Sequence, residues 1–469
     1  MGILAIGVSL ALLMFLAYRG ITVLLLAPLM AALAVVLSGE LALLLPYYTE
    51  TFMPALGGYV LSFLPVFLLG ALFGQLMADS GAAYTLSRWI LRVIGQRHAV
   101  LVIVVACALL TYGGVSLFVV AFAIYPIAKD LFRSANIPKR LIPAAIALGS
   151  FTFTMTAMPG TPAIQNAIPI PYFGTNAFAA PGLGLIGSAI ILLGGLWWLH
   201  TRVAAARAAG EGFGEHRVAE LEESSALQPA DAQATREMPV FLALLPLVLV
   251  VAVNAVFTFA VFPSMDWSFL TPSYPAFNPS GRVGLWALII ALTVACATLM
   301  LVRLGHWTDL KASVNKGVFG FMLPLFNTAS EVGYGAVIAS LAGFLVIRDA
   351  VLNLAPGNPL ISEAIAMNVL SGITGSSSGG LSIALQALGA DYLAMAEAAG
   401  ISPDLLHRVA VMAAGGMDTL PHCGAIITLL AICKLTHRQS YLNIAAVTML
   451  FPLLALVAVI VLGTLFGSF

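Results

Sequence analysis

The chain has 469 residues, 61% of them hydrophobic and 9% charged, with a formal net charge of zero. Soluble domains carry about 25% charged residues, so a soluble fold is excluded and lipid must cover the surplus apolar surface. A neutral chain with no basic face also excludes nucleic acid as a partner.

The opening run, MGILAIGVSLALLMFLAYRG, has no basic lead and no cleavage site after it, and is expected to be a retained first helix, not a cleaved signal. A hydrocarbon core of about 30 Å takes about 20 residues of helix. Runs at 3–18, 21–37, 59–77, 141–157 continuing to 172, and 180–199 approach that length, followed by 238–262, 284–302, 318–346, 409–433 and 442–466. They predict an all-α membrane protein of about ten transmembrane helices.

Two more apolar stretches predict re-entrant hairpins. The first, 99–128, has basic clusters on both sides and Thr111-Tyr112-Gly113-Gly114-Val115-Ser116 at its middle. Each arm beside that break spans only about 18 Å at 1.5 Å per residue, too short to cross. The second, 364–390, turns at GSSSGG and is flanked by Glu363 and Asp391. With the amino terminus outside, all but Arg282, Arg348 and Arg408 of the 20 Lys and Arg residues fall on the cytoplasmic side. Both termini are then periplasmic in a bacterial inner membrane. The polar tract 200–237 reads as a cytoplasmic linker. The cysteines 107, 296, 423 and 433 lie in apolar segments and read as small core residues, with no metal or cofactor implied.

The breaks recur in order: MADSG, TYGGVS and TAMPGTPAIQN in 1–199, then NTASEVGYG, GSSSGG and GGMDTLPHCG in 238–469. Asp79 and Glu331 are 252 positions apart, Gly113 and Ser376 are 263, and Pro159 and Pro421 are 262. Similar offsets predict two inverted repeats, 1–199 and 238–469. Each would carry a hairpin (99–128, 364–390) and an unwound crossing (141–172, 409–433).

Broken helices at membrane depth free backbone groups that bind ions and polar ligands. The candidate substrate-binding residues are Thr111, Gly113, Gly114 and Ser116 at the first tip, and Ser376, Ser377 and Ser378 at the second. Thr154, Thr156, Gly160, Thr161, Gln165 and Asn166 line the first unwound crossing, and Thr419 and His422 the second. For each, ordinary helix packing is the competing reading. None of the four breaks holds Lys or Arg, so an organic anion is expected to meet amides and hydroxyls without a fixed cation. Glu331 and Asp418 are the candidate proton carriers, with a structural carboxyl as the alternative for each. Asp79 reads as a helix cap. An intramembrane enzyme would need a nucleophile with a base, or a metal motif such as H-E-x-x-H, which does not occur here. A channel is a second rival, disfavoured by the interrupted, inverted halves.

GALFGQLMADSGAA at 70–83, TYGGVSLFVVAFAIYPIAKDLF at 111–132 and the Pro-Gly stretch at 159 resemble the gluconate permease family. The resemblance implies proton-coupled symport of gluconate and related hydroxy acids. In plan the chain is also similar to the wider ion-transporter superfamily of re-entrant-hairpin carriers, which implies sodium coupling as the alternative and a homodimer. One departure concerns substrate. Family members of the gluconate type carry a His-Pro-Gly-Pro-like stretch where this chain has Thr156-Ala157-Met158-Pro159-Gly160-Thr161-Pro162. That change points toward a smaller, less polar acid such as 3-hydroxybutyrate.

Overall fold

The computed structural model describes residues 2–214, 238–270, 272–274, 279, 281–355 and 357–469. Among them every regular element is helical. The first half comprises α1 (Gly2–Tyr18), α2 (Val23–Leu37), α3 (Met53–Asp79), α4 (Ala82–Ile94), α5 (Ala99–Tyr112), α6 (Leu117–Ser134), α7 (Ile142–Ser150) and α8 (Pro181–Ala208). After the linker come α9 (Val240–Val256), α10 (Val283–Val302), α11 (Leu310–Gly320), α12 (Met322–Ser340), α13 (Ala342–Leu352) and α14 (Pro359–Thr374). The chain closes with α15 (Ser377–Ala398), α16 (Pro403–Ala414), α17 (Gly424–Ile432), α18 (His437–Ala445) and α19 (Phe451–Phe466).

Among the described residues five helices are long and apolar enough to cross a membrane: Leu41–Asp79, Pro181–Ala208, Val240–Ser264, Val283–Val302 and His437–Phe466. Leu45, Leu61, Leu193 and Val457 on these helices point outward, as lipid-facing residues do. The span expected at 59–77 therefore starts earlier, and α8 runs into the linker. Of that linker, 200–214 is described; the rest, 215–237, lies outside the described residues.

Two bends depart from the expected spans. The chain turns by 107° between α4 and the helical stretch Gln96–Tyr112, where Gly95 has φ +85°. It turns by 96° at Leu341, so the run 318–346 is a broken element. The second-half bend therefore falls at Leu341, while Glu331 lies inside continuous α12. Helix starts recur at a near-constant spacing along the chain. Ala82 and Ala342, Ala99 and Pro359, and Leu117 and Ser377 are each 260 positions apart, and Ile142 and Pro403 are 261.

The two expected hairpins are helix pairs with short turns, α5–α6 and α14–α15, each packed on itself. α12 sits centrally against α2, α3 and α15, and α16 packs against both α14 and α15. Asp79 does not cap a helix start. It ends α3, accepting from Gln75 Nε2 at 2.8 Å, and Gly81 at φ +82° precedes α4. The four cysteines are buried and unbridged.

One charge assignment is overturned. Arg408, expected in an outer loop, is 0% exposed inside α16. Ser402 caps that helix, its hydroxyl accepting from Asp404 N, and Pro403 follows at the first turn. The helix thus begins early enough to carry Arg408 into the interior.

Candidate functional site

After α7 the chain cannot remain helical. Pro159, Pro162, Pro169 and Pro171 lack the N–H that an α-helix needs, and Gly160 adopts φ +77°. Only short turns survive, at Phe153–Thr156, Ile164–Ala167 and Ile170–Phe173. The carbonyls released by this unwinding must find donors in the interior, and side chains from neighbouring elements supply them. Tyr112 OH donates to Pro159 O at 2.8 Å. Asn166 Nδ2 donates to Thr161 O at 3.1 Å and Ala177 O at 2.8 Å. Arg408 donates through Nε (3.0 Å) and Nη2 (2.7 Å) to Ala179 O and through Nη1 to Thr156 O at 3.3 Å. The same Nη1 reaches Asn166 Oδ1 at 3.3 Å.

His407, also 0% exposed, completes this scaffold. Its Nε2 lies 3.2 Å from Asn166 Oδ1 and its Nδ1 lies 2.6 Å from Thr175 Oγ1. An amide oxygen only accepts, so Nε2 carries the proton and Nδ1 accepts from Thr175. Thr175, with Gly174, Asn176, Phe262 and Gly284, lines a cavity of about 240 Å³ apart from the hairpin tips. Sequence reasoning missed both α16 residues. The four breaks themselves hold no Lys or Arg, but the Arg408 guanidinium bonds to carbonyls of the first unwound segment. The available signal was a His-Arg pair a turn or two after Ser402-Pro403 and just ahead of Gly415-Gly416.

The second tip joins this segment. Gly375 takes φ +64° to end α14, and Ser376 caps α15 by accepting from Gly379 N at 3.1 Å. Ser377 Oγ accepts from Gln165 Nε2 at 3.0 Å. Ser378 Oγ lies 3.4 Å from Thr328 Oγ1 on α12. One turn further along α12, the Glu331 carboxyl packs on the backbone at Gly379, where any side chain would collide with it. Glu331 is 3% exposed and its Oε2 has no hydrogen-bond partner.

The second unwound segment, 415–423, runs past the same tip. His422 packs against Gly375 and its Nε2 lies 3.3 Å from Ile373 O. Asp418 faces Ser377, and its Oδ1 lacks a partner, as does Gln165 Oε1. Thr419 Oγ1 pairs with Thr448 Oγ1 at 2.7 Å. At the first tip Gly113 lies against Leu247 and Gly114, at φ +98°, against Pro162 and Phe73. Ser116 begins α6, and Thr111 Oγ1 is buried without a partner.

The candidates thus divide by what their polar atoms already do. Thr154 and Thr156 bond to Gly149 O and Thr152 O one turn back, Thr161 Oγ1 accepts from Ala163 N, and Asn166 serves the scaffold. Gln165, Ser377, Asp418 and Glu331 keep polar atoms facing the junction of the second tip with both unwound segments. Gly375–Gly379 also spells G-x-S-x-G around Ser377. However, Ser377 opens a helix that follows another helix, and its partner is Gln165 with no histidine base, so no nucleophile elbow is formed. Among the described residues no group of three or more His, Cys, Asp or Glu is arranged to hold a metal.

Apolar spanning helices enclosing broken segments define a multi-pass membrane transporter. The profile of GntP family permeases matches residues 1–344, and the chain belongs to that family. It is 44% identical to the uncharacterized transporter YxjC of Bacillus subtilis (strain 168), with all of both chains covered. The structure of MtrF from Neisseria gonorrhoeae, described with a class of antimetabolite efflux pumps, has a similar fold. Its TM-score is 0.58 at 12% identity, covering 91% of this chain and 85% of that one.

Proposed function

We propose that the protein is a secondary active transporter that couples proton entry to uptake of gluconate or a smaller hydroxy-monocarboxylate such as 3-hydroxybutyrate. Ten crossings and two re-entrant hairpins would form two inverted repeats, with both termini periplasmic, and the near-constant 260-position offset of the helix starts supports that reading. The observation that carries it is the Gln165–Ser377 bond, which brings the first unwound segment onto the second hairpin tip beside Asp418 and Glu331. The substrate carboxylate would take hydrogen bonds from Gln165 and the tip hydroxyls, while Arg408 contributes positive potential from behind. Glu331 and Asp418 would carry the coupling proton, as intramembrane carboxyls commonly do.

Sodium coupling is the second reading, supported by a specific feature. Gln165 Oε1 and Asp418 Oδ1 are unpartnered oxygens flanking Ser377, the donor type that such an ion takes. Uptake of labelled gluconate and 3-hydroxybutyrate into proteoliposomes, with proton and sodium gradients imposed separately, distinguishes the two. Acceleration by the proton gradient alone upholds symport with protons; acceleration by sodium alone replaces it; no uptake of either acid removes the substrate class.

A further inference from the structure

Neither proposed coupling carboxyl accounts for Glu363. It lies one turn into α14, is 0% exposed, and neither carboxyl oxygen has a hydrogen-bond partner. Burying an unpaired carboxylate is costly enough that the group is stable in this arrangement only while it holds its proton.

The groups around it offer no cation. On α15, Tyr392 faces it, with its hydroxyl 3.2 Å from Ser362 Oγ, which itself donates to Val351 O at 2.6 Å. Asp391 of α15 is bound by Arg348 of α13, where Asp349 also lies beside that arginine. On α16, His407 and Arg408 are committed to the first unwound segment, and Asp404 lies toward Arg408. α1 has no Asp, Glu, Lys, Arg or His.

Two more unpartnered buried atoms follow Glu363 along α14, Asn368 Oδ1 and Ser371 Oγ. Asn368 Oδ1 lies against the backbone of Gly416, two residues before Asp418. Ser371 packs against Gly380 at the hairpin turn. At 1.5 Å per residue the three positions extend over about 12 Å of helix, from the base of the hairpin to its tip. Three such residues on one arm of a hairpin place several buried polar atoms, free to bond, between its base and its tip.

We propose that Glu363 is a further proton-binding site, passing protons between water at the base of the α14–α15 hairpin and the chamber at its tip. Its carboxylate takes up one proton to become the acid and returns to carboxylate when that proton leaves; no other bond changes. The proposal rests on the reading of the protein as a proton symporter.

The test combines transport with infrared difference spectroscopy on the reconstituted protein and Glu363→Gln. Proton-driven net uptake of gluconate or 3-hydroxybutyrate is expected to fall at least tenfold more than exchange of the same acid at equal pH. As pH is raised, the parent should lose a carboxylic-acid carbonyl band that Glu363→Gln lacks. Equal losses of uptake and exchange, or identical difference spectra, overturn the proposal. If the parent moves neither acid with protons, the symport reading fails, and the infrared comparison still decides whether Glu363 exchanges a proton. Glu363→Met should unfold no earlier than the parent, because an apolar side chain of similar length replaces an unpaired buried acid, and Glu363→Gln, whose amide is buried alike, should stay close to it. Markedly earlier unfolding of both makes Glu363 structural and also overturns the proposal.

Discussion

Gln165 Nε2 donates to Ser377 Oγ at 3.0 Å across 212 positions of sequence, tying the unwound segment of the first half to the hairpin tip of the second. A buried hydrogen bond contributes about 1 kcal/mol, so Gln165→Ala and Ser377→Ala should each lower initial uptake about fivefold. Because both remove the same bond, the loss in the double variant should be smaller than the sum of the two single losses. Initial rates of labelled uptake for the four proteins check this; additive losses would mean the two residues act separately.

Gly379 provides a second check on the junction. Any β-carbon there meets the Glu331 carboxyl, and overpacking a tight interior costs about 1–3 kcal/mol. Gly379→Ala should lower thermal stability in detergent by that amount, and Gly379→Ala/Glu331→Ala should regain most of it. Thermal unfolding of both variants, with Glu331→Ala as the reference, measures the effect.

Arg408 holds the first unwound segment in place through its carbonyls. Without it the carbonyls of Thr156 and Ala179 lose their donors, each at a cost of about 1–3 kcal/mol. Arg408→Met should therefore lose several kcal/mol of stability, on the order of two such terms, as read by thermal unfolding. Arg408→Lys keeps the charge but not the fork of donors, and should recover only part of it.

What the sequence made legible follows the same physics. Gly113-Gly114, Pro159-Gly160 and Gly375 mark breaks because Gly readily adopts left-handed backbone and Pro lacks an N–H, although Gly57-Gly58, Pro65 and Gly194-Gly195 lie inside continuous helices. Positions set by neighbours were hidden. The sequence places Glu331 beside hydroxyls, but its proximity to Gly379 depends on how α12 packs against α15. Arg408 reads as an outer-loop charge until Ser402 and Pro403 start α16 early enough to bury it. Glu363 reads as a flank for a similar reason, since α14 begins at Pro359 and not at 364. The bend at Leu341 has no Gly or Pro at the corner itself, only Gly343 two residues on, so the run 318–346 reads as continuous.

Outside the membrane, the stub after α8 clamps the start of α7. Arg140 donates to both Glu211 carboxyl oxygens at 2.7 Å, and this pairing holds the Glu211 carboxyl below its usual range. A carboxyl lowered on folding contributes stability above its unfolded value and loses it as pH falls through the folded one. Acid titration of thermal stability should therefore show a decline that Glu211→Gln lacks. Screening keeps the difference small, and 1 M salt should reduce it further.

The central claim is that one organic acid and protons enter together. The most direct measurement loads proteoliposomes with a pH indicator and follows internal pH and labelled acid simultaneously after external gluconate or 3-hydroxybutyrate is added. The account predicts that acidification begins with tracer entry, in fixed proportion to it, and disappears in Glu331→Gln or Asp418→Asn. Tracer entering with no change in internal pH would contradict proton symport.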